Sequence, residues 1–216
     1  MIRTLSRLWR RARFGLPVVV VSGLPRSGTS MVMQMLEAGG MEAVTDGHRP
    51  PDESNLRGYF ELERVKALEA GDVAWVEGAQ GRVVKVIAYL LEHLPRTSQY
   101  RVIFMVRNLD EVLASQAKML ALLGEPADAG PPTHGGEPVA ADEKRMREIF
   151  YGHMARARRF LAGDPRFEVL YLRHEDVLRD PGTAAEQIVR FIGGNLDVLA
   201  MAVAVDPALH RTRRRE

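Results

Sequence analysis

The chain has 216 residues, of which 46% are hydrophobic and 27% charged, which is enough for one globular domain with a substantial core. It contains no cysteine, so disulfides, thiolate metal sites and cysteine nucleophiles are excluded. The net charge is +2, but five Arg lie in residues 1–17 and four in residues 207–216, leaving 21 basic against 27 acidic residues between them. Because the basic character belongs to the two terminal segments, we expect no nucleic-acid partner.

These charges divide the chain into a basic N-terminal segment (residues 1–17), a single domain (18–206) and a basic C-terminal tail (207–216). Residues 2–13 have a short basic amphipathic pattern that would allow at most a peripheral membrane contact. The apolar run at residues 16–21 is too short to span a bilayer and lacks the cleavage pattern of a signal peptide. Together with the missing cysteine, these features predict a soluble, cytoplasmic protein.

Predicted strands and helices alternate along the domain. The first strand, at residues 18–21, precedes a helix whose apolar positions are Met31, Val32, Met35 and Leu36 and which ends at Gly39. Further strands are predicted at 83–87, 100–106 and 167–172, and further helices at 110–123, 141–161 and from after Gly182 to 192, the last of the chain. Residues 124–140, rich in Gly and Pro, are predicted to form a loop. This alternation predicts a three-layer α/β fold with a mainly parallel sheet flanked by helices.

The connection between the first strand and the first helix, residues 22–30, has the pattern of a phosphate-binding loop. Gly23 and Gly28 lie five residues apart and are followed by Thr29 and Ser30, at a helix start where backbone N–H groups favour bound phosphate. Thr29 stands where nucleotide hydrolases have Lys, and the third strand ends in Arg107, where a magnesium-binding Asp could stand. The pattern therefore predicts a P-loop-type fold without hydrolase chemistry, although an ordinary glycine-rich turn or a kinase-like loop would also fit.

Residues 25–30, Pro-Arg-Ser-Gly-Thr-Ser, resemble the 5′-phosphosulfate loop of sulfotransferases that use 3′-phosphoadenosine 5′-phosphosulfate (PAPS), with Arg26 in place of the Lys found in some branches. Two downstream segments agree with this resemblance in the family's order. Arg107 is followed after eight residues by Ser115, the spacing that binds the 3′-phosphate in the family. Residues 167–181 resemble the family's strand and following helix start, with His174 at a position where the family has Tyr.

The resemblance implies sulfuryl transfer from PAPS, as co-substrate, to a hydroxyl or amine of an acceptor, with no metal expected. The donor-binding residues that it implies are Gly23, Pro25, Arg26, Ser27, Gly28, Thr29, Ser30, Arg107 and Ser115. Lys85 matches a catalytic Lys of the tyrosylprotein-type branch. Independently of that match, a Lys within an apolar run is costly to bury unless its ammonium meets an anion, which could also be a structural carboxylate.

The general base is sought in the polar region after the first helix. Asp46 is the first choice, because it lies twenty residues after Arg26, close to where related carbohydrate and tyrosine sulfotransferases carry a catalytic Glu. The predicted catalytic set is therefore Arg26, Lys85 and Asp46. Two other residues stay open as bases: His48, because of its near-neutral pKa as a residue type, and Glu61, in a segment resembling bacterial members. Glu61 could also hold the acceptor or anchor the loop.

Two other functions remain open at this point: a nucleotide-dependent kinase on the same fold, and a non-catalytic regulator that binds a nucleotide. The acceptor of a sulfotransferase could be a small molecule, a carbohydrate or a peptide. The segments that would shape its pocket, residues 41–60 and 124–140, carry no recognisable pattern.

Overall fold

The structure is a computed structural model that describes residues 15–46, 60–123 and 143–206. Within these ranges a four-stranded parallel sheet has the strand order β2-β1-β3-β4. The strands are β1 (Val18–Gly23), β2 (Val83–Lys85), β3 (Tyr100–Val106) and β4 (Phe167–Arg173). The predicted α/β fold with a mainly parallel sheet is confirmed.

Six α-helices surround the sheet in the described ranges. They are α1 (Thr29–Ala38), α2 (Leu109–Leu123), α3 (Glu143–Gly163), α4 (His174–Arg179), α5 (Pro181–Ile192) and α6 (Val198–Val203). Short 3₁₀ segments cover Glu63–Ala67, Ala74–Ala79 and Ala88–His93.

Both faces of the sheet are buried, which explains the unbroken apolar sequence of β1. Val18 and Val20 pack into a core with the 3₁₀ segments and α3, whereas Val19 and Val21 pack into a second core with α1, α5 and α6. Successive side chains of a strand point to opposite faces, so a central strand covered on both sides has to be apolar throughout. Within the described ranges, no helix has both the length and the hydropathy needed to cross a bilayer.

Several sequence predictions about the elements were wrong. The first strand was predicted to end at residue 21 but β1 extends to Gly23, and α5 was predicted to start after Gly182 but begins at Pro181. The second strand was predicted to reach residue 87, but β2 ends at Lys85, and Val86 still donates its N–H to the Val21 carbonyl (3.0 Å). Helix α5 was predicted to be the last, yet α6 follows it, and α4 also was not predicted. Both missed helices have only six residues, too few for a helical period to be read from the sequence. The loop predicted at 124–140 lies outside the described residues.

The turn between α3 and β4 provides a test of stability against pH. Arg166 binds the Asp164 carboxylate (Nη2 to Oδ2, 2.5 Å) and donates to the Pro95 carbonyl (2.8 Å), and the hydrogen bonds from Arg166 hold the pKa of Asp164 below its ordinary value. A lowered native pKa means that this contribution is complete above the unfolded pKa of about 4 and is lost as pH falls below it.

We therefore expect Asp164→Asn to lower the free energy of unfolding by about 1–2 kcal/mol at pH 7, with a smaller difference at pH 3. Urea unfolding at the two pH values measures this. The exposed pair Asp176 and Arg179 supplies the control, because Asp176→Asn should change stability by less than about 0.5 kcal/mol. An equal loss for Asp164→Asn at both pH values would contradict the electrostatic explanation.

Candidate active site

The phosphate loop connects β1 to α1 through a tight turn that depends on two glycines. A Cβ on Gly23 would lie 2.5 Å from Ser27 Oγ and 2.8 Å from the Met105 carbonyl oxygen. Gly28 has φ 98°, and a Cβ there would lie 2.6 Å from Cδ2 of His174. Any residue with a Cβ at either position would therefore clash with the atoms that the loop packs against. The spacing of the two glycines in the sequence thus has a direct structural cause.

Arg26 is the central cation of the loop. It has a positive φ of 64°, its Nε donates to Ser115 Oγ (3.1 Å), and its own carbonyl accepts from Nη1 of Arg107 (3.0 Å). Arg107 is only 9% exposed and also forms an ion pair with Glu111 (2.9 Å). The structure thus brings Arg26 of the loop motif together with Arg107 and Ser115, the pair named by a second motif.

The start of α1 adds positive potential to these cations. Its first backbone hydrogen bonds run from Met31 and Val32 to the Gly28 carbonyl, so the N–H groups of Thr29 and Ser30 belong to the turn that has no intrahelical acceptors. The first turn carries no acidic residue that would neutralise the helix dipole. The end of β1, the start of α1 and two guanidinium groups therefore form a site suited to an anion with several negative charges.

A second group of charged residues lies at the end of β2. Lys85 is the last residue of that strand, in register with Val21 of β1, two residues before Gly23. Its Nζ lies 3.7 Å from Oε1 of Glu61, and the two side chains are 16% and 32% exposed. Lys85 therefore pairs with a carboxylate, which was the structural alternative noted from the sequence, and its catalytic role stays a prediction.

Asp46 lies beside Glu61, and its carboxylate has a structural contact. Oδ2 of Asp46 accepts the backbone N–H of Glu63 (2.6 Å), while the Asp46 N–H donates to the Glu61 carbonyl (3.2 Å). Thr45 Oγ1 donates to the same carbonyl (2.8 Å). These contacts fix the chain at residues 61–63 relative to residues 45 and 46.

The polypeptide before Asp46 runs along the outer edge of β2. Val83 donates its N–H to the Glu42 carbonyl (3.0 Å) and Val44 donates to the Val83 carbonyl (2.8 Å), next to a parallel bridge between Ala43 and Val83. This pairing carries Asp46 and Glu61 to the carboxyl end of the sheet, the same end as the phosphate loop. Open parallel sheets bind their ligands at that end.

The remaining site predictions have different outcomes. His48 lies outside the described residues. Within the described ranges, no group of three or more His, Asp or Glu side chains is placed to hold a metal ion. His174, which stands where the family has Tyr, is 8% exposed and packs against Gly28, a pairing that the sequence motifs did not indicate.

A family model described as "Sulfotransferase domain" matches residues 16–212, nearly the whole chain. The chain belongs to the sulfotransferase domain family. The PAPS-dependent sulfotransferase family that the three sequence motifs indicated is therefore confirmed, and the matched range contains all described residues of the site.

Solved sulfotransferase structures share this fold. The sulfotransferase STF1 from Mycobacterium tuberculosis is 15% identical, with a TM-score of 0.55 over 97% of this chain and 77% of that one. A sulfotransferase domain from the curacin biosynthetic pathway is 16% identical, with a TM-score of 0.51 over 90% of this chain and 89% of that one. No protein of curated function matches the sequence. At these identities the structures establish the fold of this sulfotransferase, and its individual site residues are argued from its own geometry.

Proposed function

We propose that this sulfotransferase transfers a sulfuryl group from PAPS to a hydroxyl or amine of a small-molecule, carbohydrate or peptide acceptor. The observation that carries the proposal is the convergence of Arg26, Arg107 and Ser115 beside the phosphate loop. PAPS carries one phosphate on the 3′ oxygen and another on the 5′ oxygen of its ribose. A protein that binds it therefore needs two anion sites close together. The loop supplies one, and the pair Arg107 and Ser115 supplies the other.

The residues present fit such a donor. Glycine at positions 23 and 28 lets the loop pack closely against Met105 and His174 and so keep the tight turn that leads into the start of α1. Residues 23–30 would hold the 5′-phosphosulfate, and Arg107 with Ser115 would hold the 3′-phosphate. Arg26 belongs to both groups, since its backbone forms the loop and its guanidinium contacts Ser115. Arg26 and Lys85 would stabilise the negative charge that develops on the phosphate as the sulfuryl group leaves.

The same residues argue against the alternative function, a nucleotide-dependent kinase. Kinases and hydrolases with this type of loop use a Lys on the terminal phosphates and a carboxylate that holds magnesium. Here Thr29 occupies the loop position, and Arg107, whose guanidinium contacts the Arg26 carbonyl, follows β3. A guanidinium at that place would repel a divalent cation.

Binding of two nucleotides with and without magnesium tests the proposal. By isothermal titration calorimetry we expect 3′-phosphoadenosine 5′-phosphate (PAP), the product left by PAPS, to bind in EDTA at least about tenfold more tightly than ATP with magnesium. Ser115→Ala should weaken PAP binding by about five- to tenfold, because one hydrogen bond to a charged group is removed, and should leave ATP binding unchanged. Magnesium-dependent ATP binding with no PAP binding would overturn the proposal in favour of a kinase.

Turnover separates the enzyme from a nucleotide-binding regulator. Sulfuryl transfer can be followed as PAP released from PAPS, with water or with a panel of phenols, alcohols and amines as acceptors. We expect release that depends on Lys85. Tight PAP binding without any release from PAPS would support the regulator instead.

A further inference from the structure

We infer that Glu61 is the residue that accepts the acceptor's proton, and that Asp46 is a positioning residue that holds Glu61 in place. This inference rests on the proposed sulfuryl transfer and names the base within that same site. It departs from the assignment of Asp46 by its sequence distance from Arg26.

The carboxylate of Asp46 already serves the fold. The 3₁₀ segment Glu63–Ala67 begins after Leu62, whose side chain cannot accept a hydrogen bond. Asp46 Oδ2 accepts the N–H of Glu63 at 2.6 Å and so caps this segment from seventeen residues away in the sequence. Since Asp46 also donates its own N–H to the Glu61 carbonyl, both of these contacts position residues 61–63.

Glu61 has the features that a proton acceptor at this site needs. Its backbone is held at one atom, the carbonyl oxygen, by donors from Thr45 and Asp46. Its side chain lies 3.7 Å from the Lys85 ammonium and keeps about a third of its surface exposed, so an acceptor molecule can reach it. Asp46 is fixed to a backbone amide, whereas Glu61 faces a catalytic candidate.

Lys85 connects this carboxylate to the donor loop. It ends β2 beside Val21, and β1 continues from there directly into Gly23. The backbone of Lys85 therefore lies beside the strand that leads into the phosphate loop, while its ammonium lies 3.7 Å from the proposed proton acceptor. Its positive charge favours the negative charge that develops on the departing phosphate.

The transfer is balanced without another reactant. The acceptor's O–H or N–H proton passes to the Glu61 carboxylate while the acceptor atom forms a bond to sulfur. The bond between sulfur and the bridging phosphate oxygen breaks, and its electron pair leaves with PAP. The proton on Glu61 is then released to water, which restores the carboxylate.

Four substitutions distinguish the proposed role of Glu61 from that of Asp46. Glu61→Gln removes the proposed base with little change in shape. Asp46→Asn keeps a side-chain oxygen that can accept the Glu63 N–H, and Asp46→Ala removes it. Glu63→Gln is the matched control, because Glu63 lies two residues from Glu61, is 62% exposed and pairs with Lys66. For each protein, PAP affinity is measured by calorimetry, and kcat and KM by PAP release from PAPS across pH 5 to 9, with water and with the acceptor panel.

We expect Glu61→Gln to lower kcat by on the order of 10²-fold or more across pH 5 to 9, the usual effect of losing a general base. Its PAP affinity should stay within about twofold of wild type, as should every parameter of Glu63→Gln. Asp46→Asn should retain kcat within about fivefold, whereas Asp46→Ala should lower it further and raise the acceptor KM, because the 61–63 segment loses its cap.

The inference is overturned if Asp46→Asn lowers kcat as much as predicted for Glu61→Gln while Glu61→Gln keeps wild-type turnover. It is also overturned if Glu61→Gln lowers turnover only through weaker PAP binding. A wild-type protein that neither binds PAP nor consumes PAPS would overturn the proposed function as well, whereas PAP binding and turnover insensitive to Glu61→Gln overturn the base assignment alone.

Discussion

Replacing Gly28 with Ala should abolish detectable PAP binding and lower turnover of PAPS by more than about 10²-fold. The new Cβ would lie 2.6 Å from Cδ2 of His174, a buried ring at the junction between β4 and α4, and Ala would also be strained at the φ of 98°. The phosphate loop would therefore have to shift, and the N–H groups at the start of α1 would move with it. Calorimetry with PAP and PAP release from PAPS measure the two losses.

Gly40 offers a matched control for the backbone effect. It has φ 94°, close to the 98° of Gly28, but no described atom lies within 4 Å of its Cβ position. Gly40→Ala should therefore cost about 1–2 kcal/mol of stability through backbone strain alone and should leave PAP binding unchanged. If Gly28→Ala bound PAP as tightly as Gly40→Ala, the close packing of His174 on the loop would not matter for the donor site.

The second large effect is expected at Arg26, where two substitutions separate its backbone from its side chain. Arg26→Gly should lower kcat by about 10²- to 10³-fold, since a cation that stabilises the leaving phosphate is lost. Gly also accepts the φ of 64° without strain, so thermal stability should not fall in proportion to activity. Turnover and the midpoint of thermal unfolding are measured on the same preparations.

Arg26→Lys tests whether a positive charge at this position is enough for full turnover. The ammonium keeps the charge but cannot reproduce the hydrogen bond from Nε to Ser115 Oγ at the same geometry. We expect turnover between that of wild type and Arg26→Gly. Wild-type turnover in Arg26→Gly would exclude the guanidinium from the chemistry, and loss of turnover that follows loss of folded protein would assign it a structural role.

Much of the donor site could be predicted from the sequence because each part is a local pattern. Val18 to Val21 is a strand in any context that buries both faces, and the spacing of Gly23 and Gly28 indicates a turn into a helix start. Arg107 directly follows β3, and Ser115 lies about two helical turns later in α2. One continuous segment of the sequence therefore determines both positions. Their meeting with Arg26 follows from the parallel pairing of β1 and β3. The alternation of strands and helices predicts parallel strands but not which strands are neighbours.

The rest depends on contacts that no local pattern contains. The ion pair of Lys85 with Glu61 requires residues 42–46 to run along β2, although those residues have no β-strand pattern in the sequence. The end of β2 at Lys85 was mispredicted because Val86 and Ile87 continue the β-branched run. The contact between His174 and Gly28 links the segment after β4 to the segment after β1, so neither segment alone indicates it.

The contacts of Arg26 also have a consequence for how the protein folds. Arg26 meets Ser115 across 89 residues of sequence and Arg107 across 81 residues, and the His174 contact is longer still. Forming such contacts requires that the intervening chain is already organised, so they close late and slowly compared with local helix formation. A partly folded chain would possess the phosphate-loop sequence without a place for the donor. Donor nucleotide should therefore recognise only the completed native state and protect it against unfolding as a whole.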